Sequence, residues 1–311
     1  MFQIKLVPTK TDIHFIHWRK PAMVISALLV LLSAFVTFAP GLNFGIDFRG
    51  GILVEVQTRG PANLSDMRSN LGGLGLGEVS LQEFGAADTV LIRIEKQPGD
   101  ATAQQKAVVK VRAALGNGLD YRRTEFVGPK VSGELIEAGA MAIALSVVLM
   151  LIFIWFRFEW HFGVGAVVAL IHDVVLSVGM FAITQMEFNL STIAALLTIV
   201  GYSINDTVVV YDRVRENLRK FKTMDLPSVL NLSINDTLSR TTMTSVTTLL
   251  ALVVLFIFGG AVIQGFVFAM IWGVVVGTYS SIFIAAPLLI VLGLGDRHRS
   301  GEDRGATQAS T

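Results

Sequence analysis

Two carboxylic acids lie inside long apolar stretches of this 311-residue sequence. Asp206 follows Asn205, and Asp173 follows His172, in two different apolar runs. An ionised group at the centre of a membrane-spanning helix costs about 2.5–3.5 kcal/mol on insertion scales, so such an acid needs a partner, a proton or a water-filled surrounding. The sequence therefore predicts buried acids that take up and release a cation.

A basic residue precedes a later apolar run. Arg240 stands just before the run 241–263, and hydroxyl residues continue its helical face at Thr244, Thr247 and Thr248. A base and hydroxyls at the depth of two acids are typical of a proton relay. We predict the relay members as Asp206, Arg240, Asp173, His172, Asn205 and Thr244.

Other interpretations of these polar groups stay open. Asp206 lies five residues before Tyr211, or about 7 Å along a helix, so it could reach the cytoplasmic headgroups. The acids and Arg240 could instead form a static buried salt bridge, which contributes little net stability because both charges lose their water. His172 could simply bond a neighbouring helix.

The pentapeptide SINDT occurs twice, at Ser203–Thr207 and at Ser233–Thr237. The first copy contains the intramembrane acid. The second precedes an apolar run, so we expect a helix to begin near Leu232 with an Asn or Ser of this copy as its cap. The different surroundings of the two copies argue against a duplicated function.

Composition places the chain among membrane proteins. Hydrophobic residues make up 52% and charged residues 16%, against about 25% charged residues in soluble domains. A net charge of +1 gives no support for nucleic-acid binding, and the absence of cysteine excludes disulfides. His14 and His17 lack a third ligand, and no nucleotide-binding or nucleophile motif occurs, so we expect no metal, no cofactor and no enzyme activity.

The sequence contains six long apolar runs, which polar segments separate. We divide the chain into an N-terminal tail (1–20), a first span (21–40), a soluble domain (41–136), spans two to six (137–295) and a C-terminal tail (296–311). Basic residues concentrate in the two tails, in the turn 157–162 and in a predicted polar loop, 212–240. By the positive-inside rule both termini are cytoplasmic and the soluble domain is extracytoplasmic. Pro287 predicts a kink in the sixth span.

The soluble domain has the pattern βαββαβ. Strand-like alternation occurs at 51–58, 78–84, 89–95 and 121–127, and helical spacing separates the strands at 63–71 and 101–115. This order predicts a ferredoxin-like sheet covered by two helices. Eleven basic and eleven acidic residues between 41 and 136 leave no basic face for nucleic acid.

Four segments resemble the SecF family, the protein-export membrane subunits of the SecD/SecF group, which is related to the RND transporters. They are FGIDFRGG (44–51), VGPKVSGEL (127–135), GYSINDTVVVYDR (201–213) and SINDTLSRT (233–241). The segments follow one another in register over nearly the whole chain. The resemblance implies a polytopic α-helical membrane protein, an RND-like half of six helices with one ferredoxin-like extracytoplasmic domain.

The resemblance also implies a function. A member of this family is an auxiliary subunit of the bacterial Sec preprotein translocase in the inner membrane, and it uses the proton or sodium gradient to drive late steps of export. Its implied partners are SecD, the SecYEG channel, YajC, YidC, the unfolded preprotein and membrane lipid. Asp206 and Arg240 match the family's intramembrane acid and base. The signature residues, which we interpret as an elbow below the outer domain, are Asp47, Phe48, Arg49, Gly50 and Gly51.

Two other functions remain possible from the residues. An RND-type half-transporter would export small molecules or lipids, but a single outer domain of about 90 residues is small for such a pump. A passive scaffold would hold partners together and would tolerate the loss of Asp206.

Overall fold

The computed structural model describes residues 11–39, 41–116 and 118–294. Residues 1–10 of the predicted N-terminal tail and the whole predicted C-terminal tail, 296–311, lie outside the described residues. Long helices form a bundle, and a small sheet with two helices forms the domain that was predicted to be extracytoplasmic, which keeps the name outer domain below. The helices are α1 (Arg19–Phe38), α2 (Ile46–Arg49), α3 (Leu64–Gly72), α4 (Ala101–Leu115), α5 (Pro129–Arg157), α6 (Trp160–Thr184), α7 (Leu190–Lys220), α8 (Leu226–Phe258), α9 (Ala261–Ser280) and α10 (Ala286–Val291).

Six helical segments among the described residues are long and apolar enough to cross a membrane. The central helix, α7, packs against α6, α8 and α9, whereas α1 and α5 lie at the periphery with most of their apolar side chains exposed. The prediction of a polytopic six-helix bundle is confirmed. The six segments are Phe15–Phe38, Val131–Arg157, Trp160–Thr184, Leu190–Lys220, Leu226–Phe258 and Val262–Val291.

The prediction of a polar loop over residues 212–240 is wrong, because α7 continues to Lys220 and α8 begins at Leu226. Asp225 caps α8 by accepting a hydrogen bond from the backbone N–H of Ser228 at 3.3 Å. Apolar residues at helical spacing in both extensions pack together, so these segments are amphipathic helices rather than loop. The buried residues that join them are Val210, Val214, Leu226, Leu230 and Ile234.

The second SINDT copy therefore lies inside α8 and does not cap a helix, contrary to the prediction. Ser233 Oγ accepts a hydrogen bond from Asn217 Nδ2 at 3.0 Å, and Asp236 accepts one from Arg213 Nε at 2.8 Å. Asn235 holds the N-terminal segment, since its Oδ1 accepts from the backbone N–H of Ile13 at 2.9 Å. The copy thus ties α8 to α7 and to the start of the described chain.

The outer domain has the predicted ferredoxin-like fold. Its strands are β1 (Gly51–Gln57), β2 (Val79–Phe84), β3 (Ala86–Ile94) and β4 (Asp120–Val127). The sheet order is β2-β3-β1-β4, every pair is antiparallel, and α3 and α4 supply the helical layer. Apolar residues of the strands and of both helices form one core, which includes Ile52, Val54, Val90, Ile92, Leu71 and Val111.

The sixth predicted span is interrupted close to the predicted kink. After α9 ends at Ser280, a π-helical turn covers Ser281–Ala285, and α10 begins with Pro287 in its first turn. A proline cannot donate to the carbonyl four residues earlier, and its ring collides with that carbonyl. The turn that contains Phe283 therefore widens, as π-helical insertions do.

Glycine allows α1 and α6 to approach closely. A Cβ atom added to Gly179 would lie 2.7 Å from Ser33 Cα, a backbone atom that cannot move independently. We expect Gly179→Ala to destabilise the protein by about 1–3 kcal/mol, because an extra methyl group in a packed contact forces the helices apart. Thermal unfolding in detergent measures the effect. Gly201→Ala is the control, since no atom lies within 4 Å of its added Cβ; equal midpoints for the two variants would contradict the prediction.

Candidate functional site

The first buried acid, Asp173 of α6, is completely inaccessible and accepts hydrogen bonds from serines of two neighbouring helices. Ser203 of α7 donates to Oδ2, and Ser280, the last residue of α9, donates to the same oxygen at 2.7 Å. Oδ1 lies 2.8 Å from His172 Nδ1. The acid thus joins the predicted partner His172 to two serines.

The second acid, Asp206 of α7, is 7% exposed. Its Oδ1 accepts a hydrogen bond from Thr241 Oγ1 of α8 at 2.7 Å, and its Oδ2 accepts one from Ser281 Oγ at 2.6 Å. Both carboxylate oxygens are therefore bonded by hydroxyl groups. Asp206 does not extend to bulk solvent, which removes the interpretation of an acid that reaches for the headgroups.

Ser280 and Ser281 connect the two acids. These consecutive residues donate to Asp173 and to Asp206, at the point where α9 passes into the π-helical turn. Sequence reasoning missed them, together with Ser203 and Thr241. The two adjacent hydroxyls stand in an uncharged run, where a buried hydroxyl is costly without a partner, but the sequence does not show what they bind.

Three predicted relay residues lie at the edge of this cluster. The side chain of Arg240 is exposed, and within the described ranges no ion pair of 4.0 Å or less joins Arg240 to either acid. Thr244 is exposed and donates to the carbonyl of Arg240 in its own helix at 3.1 Å. Asn205 is exposed on α7. A static salt bridge between the acids and Arg240 is therefore absent from this conformation of the described residues.

His172 is buried, with 5% of its surface exposed. Its ring stacks on Tyr279 of α9, with the two centroids 6.1 Å apart, and Nδ1 faces Asp173. In the part of the chain that the structure describes, Nε2 is buried and has no hydrogen-bond partner. The residue thus bonds within its own helix and contacts a neighbouring helix through its ring.

The predicted signature segment lies outside the acid cluster, at the end of the bundle where α7 begins and the sheet domain is attached. Asp47 Oδ2 accepts a hydrogen bond from the backbone N–H of Leu190, the first residue of α7. Gly50 and Gly51 have φ of 71° and 127°, conformations that favour glycine, and the side chain of Arg49 is exposed. The structure thus places this segment outside the acid cluster but in contact with its central helix.

The chemistry available to the cluster is cation exchange. Each carboxylate has hydroxyl groups around it, and across residues 11–39, 41–116 and 118–294 neither has a lysine or arginine within 4.0 Å. A carboxylate in such a site is neutralised by a proton or by a small cation with oxygen ligands. No group of three or more His, Asp or Glu side chains suited to a metal ion occurs among the described residues.

Comparison with known proteins gives the family. The profile "Protein export membrane protein SecD/SecF, C-terminal" matches residues 107–295, and "SecD/SecF GG Motif" matches residues 35–62. "Protein translocase subunit SecF" of Rickettsia bellii is 46% identical over 94% of this chain and 97% of its own. The protein of the same name from Rhodobacter capsulatus is 46% identical over 97% of this chain and 95% of its own.

The fold agrees with a solved structure. The crystal structure of SecDF, a translocon-associated membrane protein from Thermus thermophilus, superposes with a TM-score of 0.84 and 35% identity over 92% of this chain. The chain spans 39% of the length of that SecDF protein. The six apolar helices and these relatives confirm the predicted resemblance and show a multi-pass membrane protein with a role in Sec export. The chain belongs to the SecF family of protein translocase subunits.

Proposed function

We propose that the protein is an auxiliary subunit of the bacterial Sec translocase that works with a SecD partner and couples a cation gradient to late steps of preprotein export. Its ion site is the pair Asp173 and Asp206. The protein resides in the inner membrane with both termini, 1–20 and 296–311, in the cytoplasm and with the outer domain, 41–136, on the other side. The concentration of basic residues at one side of the spans supports this orientation.

One observation carries the proposal: Ser280 and Ser281 hold two buried carboxylates on two different helices. A carboxylate that gains a proton becomes a group that donates as well as accepts, so a serine hydroxyl that faces the protonated oxygen can turn from donor to acceptor. Because the two serines are consecutive, this change acts on both acids through one short piece of backbone. Loading and release of a cation can therefore shift α9 against α6 and α7.

The exposed polar face of α7 and α8 supports the SecD partner. Asn205, Arg240 and Thr244 are exposed in the described chain at positions within candidate membrane spans. A charged arginine that faces acyl chains is costly, so we expect a protein surface to cover this face. SecD is the partner that the SecDF relative suggests. Contacts with SecYEG, YajC, YidC and the preprotein remain part of the proposal on family grounds.

The double variant Ser280→Ala/Ser281→Ala tests the proposal. Each lost hydrogen bond to a carboxylate is worth about 1.5–3 kcal/mol, or roughly tenfold to a hundredfold in ion affinity. We expect the size of the imposed ion gradient that gives half-maximal export to differ from that of the unmodified protein by at least about tenfold. Export of a preprotein into inverted membrane vesicles, at a series of imposed gradients, measures the shift.

Ser177→Ala is the matched control for the serine pair. Ser177 is equally buried, but its hydroxyl donates to the main-chain carbonyl of Asp173 at 2.7 Å and touches neither carboxylate. We expect its export curve to match the unmodified protein. Indistinguishable curves for the double variant and for Ser177→Ala would refute the role of the serine pair, and with it the argument on which the proposed function rests.

A further inference from the structure

The DFRGG segment, Asp47–Gly51, lies between the first span and the outer domain and touches the connection between α6 and α7. That connection, residues 185–189, leads directly into the helix that carries Asp206. We use the term junction for residues 43–51, Arg93 and residues 185–190. Nothing in the ion site described above requires this arrangement.

Main-chain hydrogen bonds join the two sides of the junction. The N–H of Gly45 donates to the carbonyl of Phe188 at 2.9 Å, and the N–H of Phe188 donates to the carbonyl of Asn43 at 2.8 Å. The pair Phe44 and Phe188 thus forms a short parallel bridge. Gly45 leaves room for this approach, because an added Cβ would lie 2.5 Å from Glu187 Oε1.

Asp47 adds a charged contact at the start of α7. Its Oδ2 accepts the hydrogen bond from the N–H of Leu190 at 2.9 Å. The first backbone N–H groups of a helix have no partner within the helix, and the helix dipole favours negative charge at this end. Asn189 caps the same helix through Thr192. Asp47 therefore binds α7 from the outer-domain side, in addition to the cap that the helix supplies itself.

An ion pair makes a second connection. Arg93 of β3 bonds to Glu187 through Nη2, and its Nη1 donates to Asn43 Oδ1 at 3.1 Å. The two charged side chains are only 15% and 20% exposed. A pair this sheltered from water is weakly screened by salt. The central part of the sheet is thus attached to the connection between α6 and α7.

The junction also has an apolar part. Phe48 and Phe188 have ring centroids 6.0 Å apart, and Phe181 of α6 contacts Phe188 at 5.7 Å. Ile46, two residues before Phe48, packs instead with Leu53 of the sheet. The short helix α2 therefore contributes to the apolar cores of both parts of the molecule, and packed cores transmit displacements rather than absorb them.

We propose that the junction moves as one unit and transmits a displacement of α7 at the ion site to the outer domain, with Asp47 as the positioning residue at the end of the helix. Asp206 lies 16 residues beyond Leu190, or about 24 Å along α7. A packed helix of this length is stiff, so a displacement at the ion site changes the position of the helix end at Leu190, and a displacement at Leu190 changes the ion site. The inference rests on the proposed function, because it requires an ion-driven movement of α7.

The test uses the full chain with its SecD partner in inverted vesicles. Asp47→Ala is expected to reduce gradient-stimulated export at least about fivefold, while export without a gradient and the amount of assembled complex stay unchanged. Asp47→Asn is expected to restore most of the stimulation, because the amide oxygen still accepts the hydrogen bond from Leu190. Asp120→Ala is the control, an outer-domain acid with a side chain 72% exposed.

The ion pair allows an independent test by charge exchange. Arg93→Glu and Glu187→Arg are each expected to lower gradient-stimulated export, and the double variant is expected to recover it, since the attraction is re-formed with reversed signs. A merely structural role predicts loss of assembled complex in the single variants, which immunoblotting of the membranes detects. Reduced complex in step with reduced export would overturn the inference.

The outcomes separate this inference from the proposed function. If Asp206→Asn loses the response to the gradient while Asp47→Ala and Arg93→Glu export like the unmodified protein, the junction does not transmit and the inference is wrong. If Asp206→Asn itself keeps the full response, the proposed function fails. Loss of stimulation in both Asp206→Asn and Asp47→Ala, with recovery in Asp47→Asn, supports the inference.

Discussion

Asp206→Asn is expected to abolish the stimulation of export by an ion gradient. The amide has nearly the shape of the carboxylate and keeps an oxygen for Thr241 or Ser281, so the helices can still pack. It cannot take up a proton in the membrane, and it lacks the negative charge that attracts a cation. We therefore expect at least a tenfold loss of gradient-stimulated export, equivalent to about 1.4 kcal/mol or more of coupling.

The matched control for this acid is Asp212→Asn, six residues further along α7. Its side chain is 42% exposed and pairs with Arg157 at 2.9 Å, and exposed pairs of this kind contribute about 0–1 kcal/mol. Proton and sodium gradients imposed separately identify the coupled ion, because only one of them stimulates the unmodified protein. A normal response of Asp206→Asn to that gradient would exclude the acid from coupling.

Gly51→Ala is expected to destabilise the outer domain strongly. Gly51 has φ of 127°, where an L residue is strained by about 1–3 kcal/mol. In addition, an added Cβ would lie 2.6 Å from the carbonyl oxygen of Ile94, a backbone atom in the neighbouring strand β3. Overpacking of this kind costs a further 1–3 kcal/mol or so. The sum is a large part of the stability of a domain of this size.

Gly60→Ala is the control for Gly51→Ala, because no atom lies within 4 Å of its added Cβ. Protease sensitivity of residues 41–128 in sealed membranes, and the amount of protein that accumulates, measure the effect. We expect rapid cleavage of the outer domain only in Gly51→Ala. Equal resistance of the two variants would show that the strand pairing adapts to a side chain at this position.

The sequence predicts the spans, the outer domain and the two acids well, because each depends on a local pattern. Runs of about 20 apolar residues have few alternatives to a membrane helix. The alternation in β1 and the spacing in α4 identify the ferredoxin-like order. An acid such as Asp206 in an apolar run is conspicuous because its insertion is costly.

Other features depend on contacts that no local pattern reveals. Ser280 and Ser281 resemble any pair of small residues in a helix, and only the packing of α9 against α6 and α7 gives them carboxylates to bind. The partner of Asp47 lies 143 residues away in the chain. The segment 212–240 is polar enough to resemble a loop, but its apolar residues face each other across α7 and α8.

The adjacency of Ser280 and Ser281 has a thermodynamic consequence for the two acids. If a cation bound at Asp206 changes the cation affinity of Asp173 by some factor, linkage requires that a cation bound at Asp173 changes the cation affinity of Asp206 by the same factor. Titration of a variant that retains only one of the two acids therefore does not give the cation-binding constant of that acid in the intact protein. The two sites have to be characterised together, as one system with interacting steps.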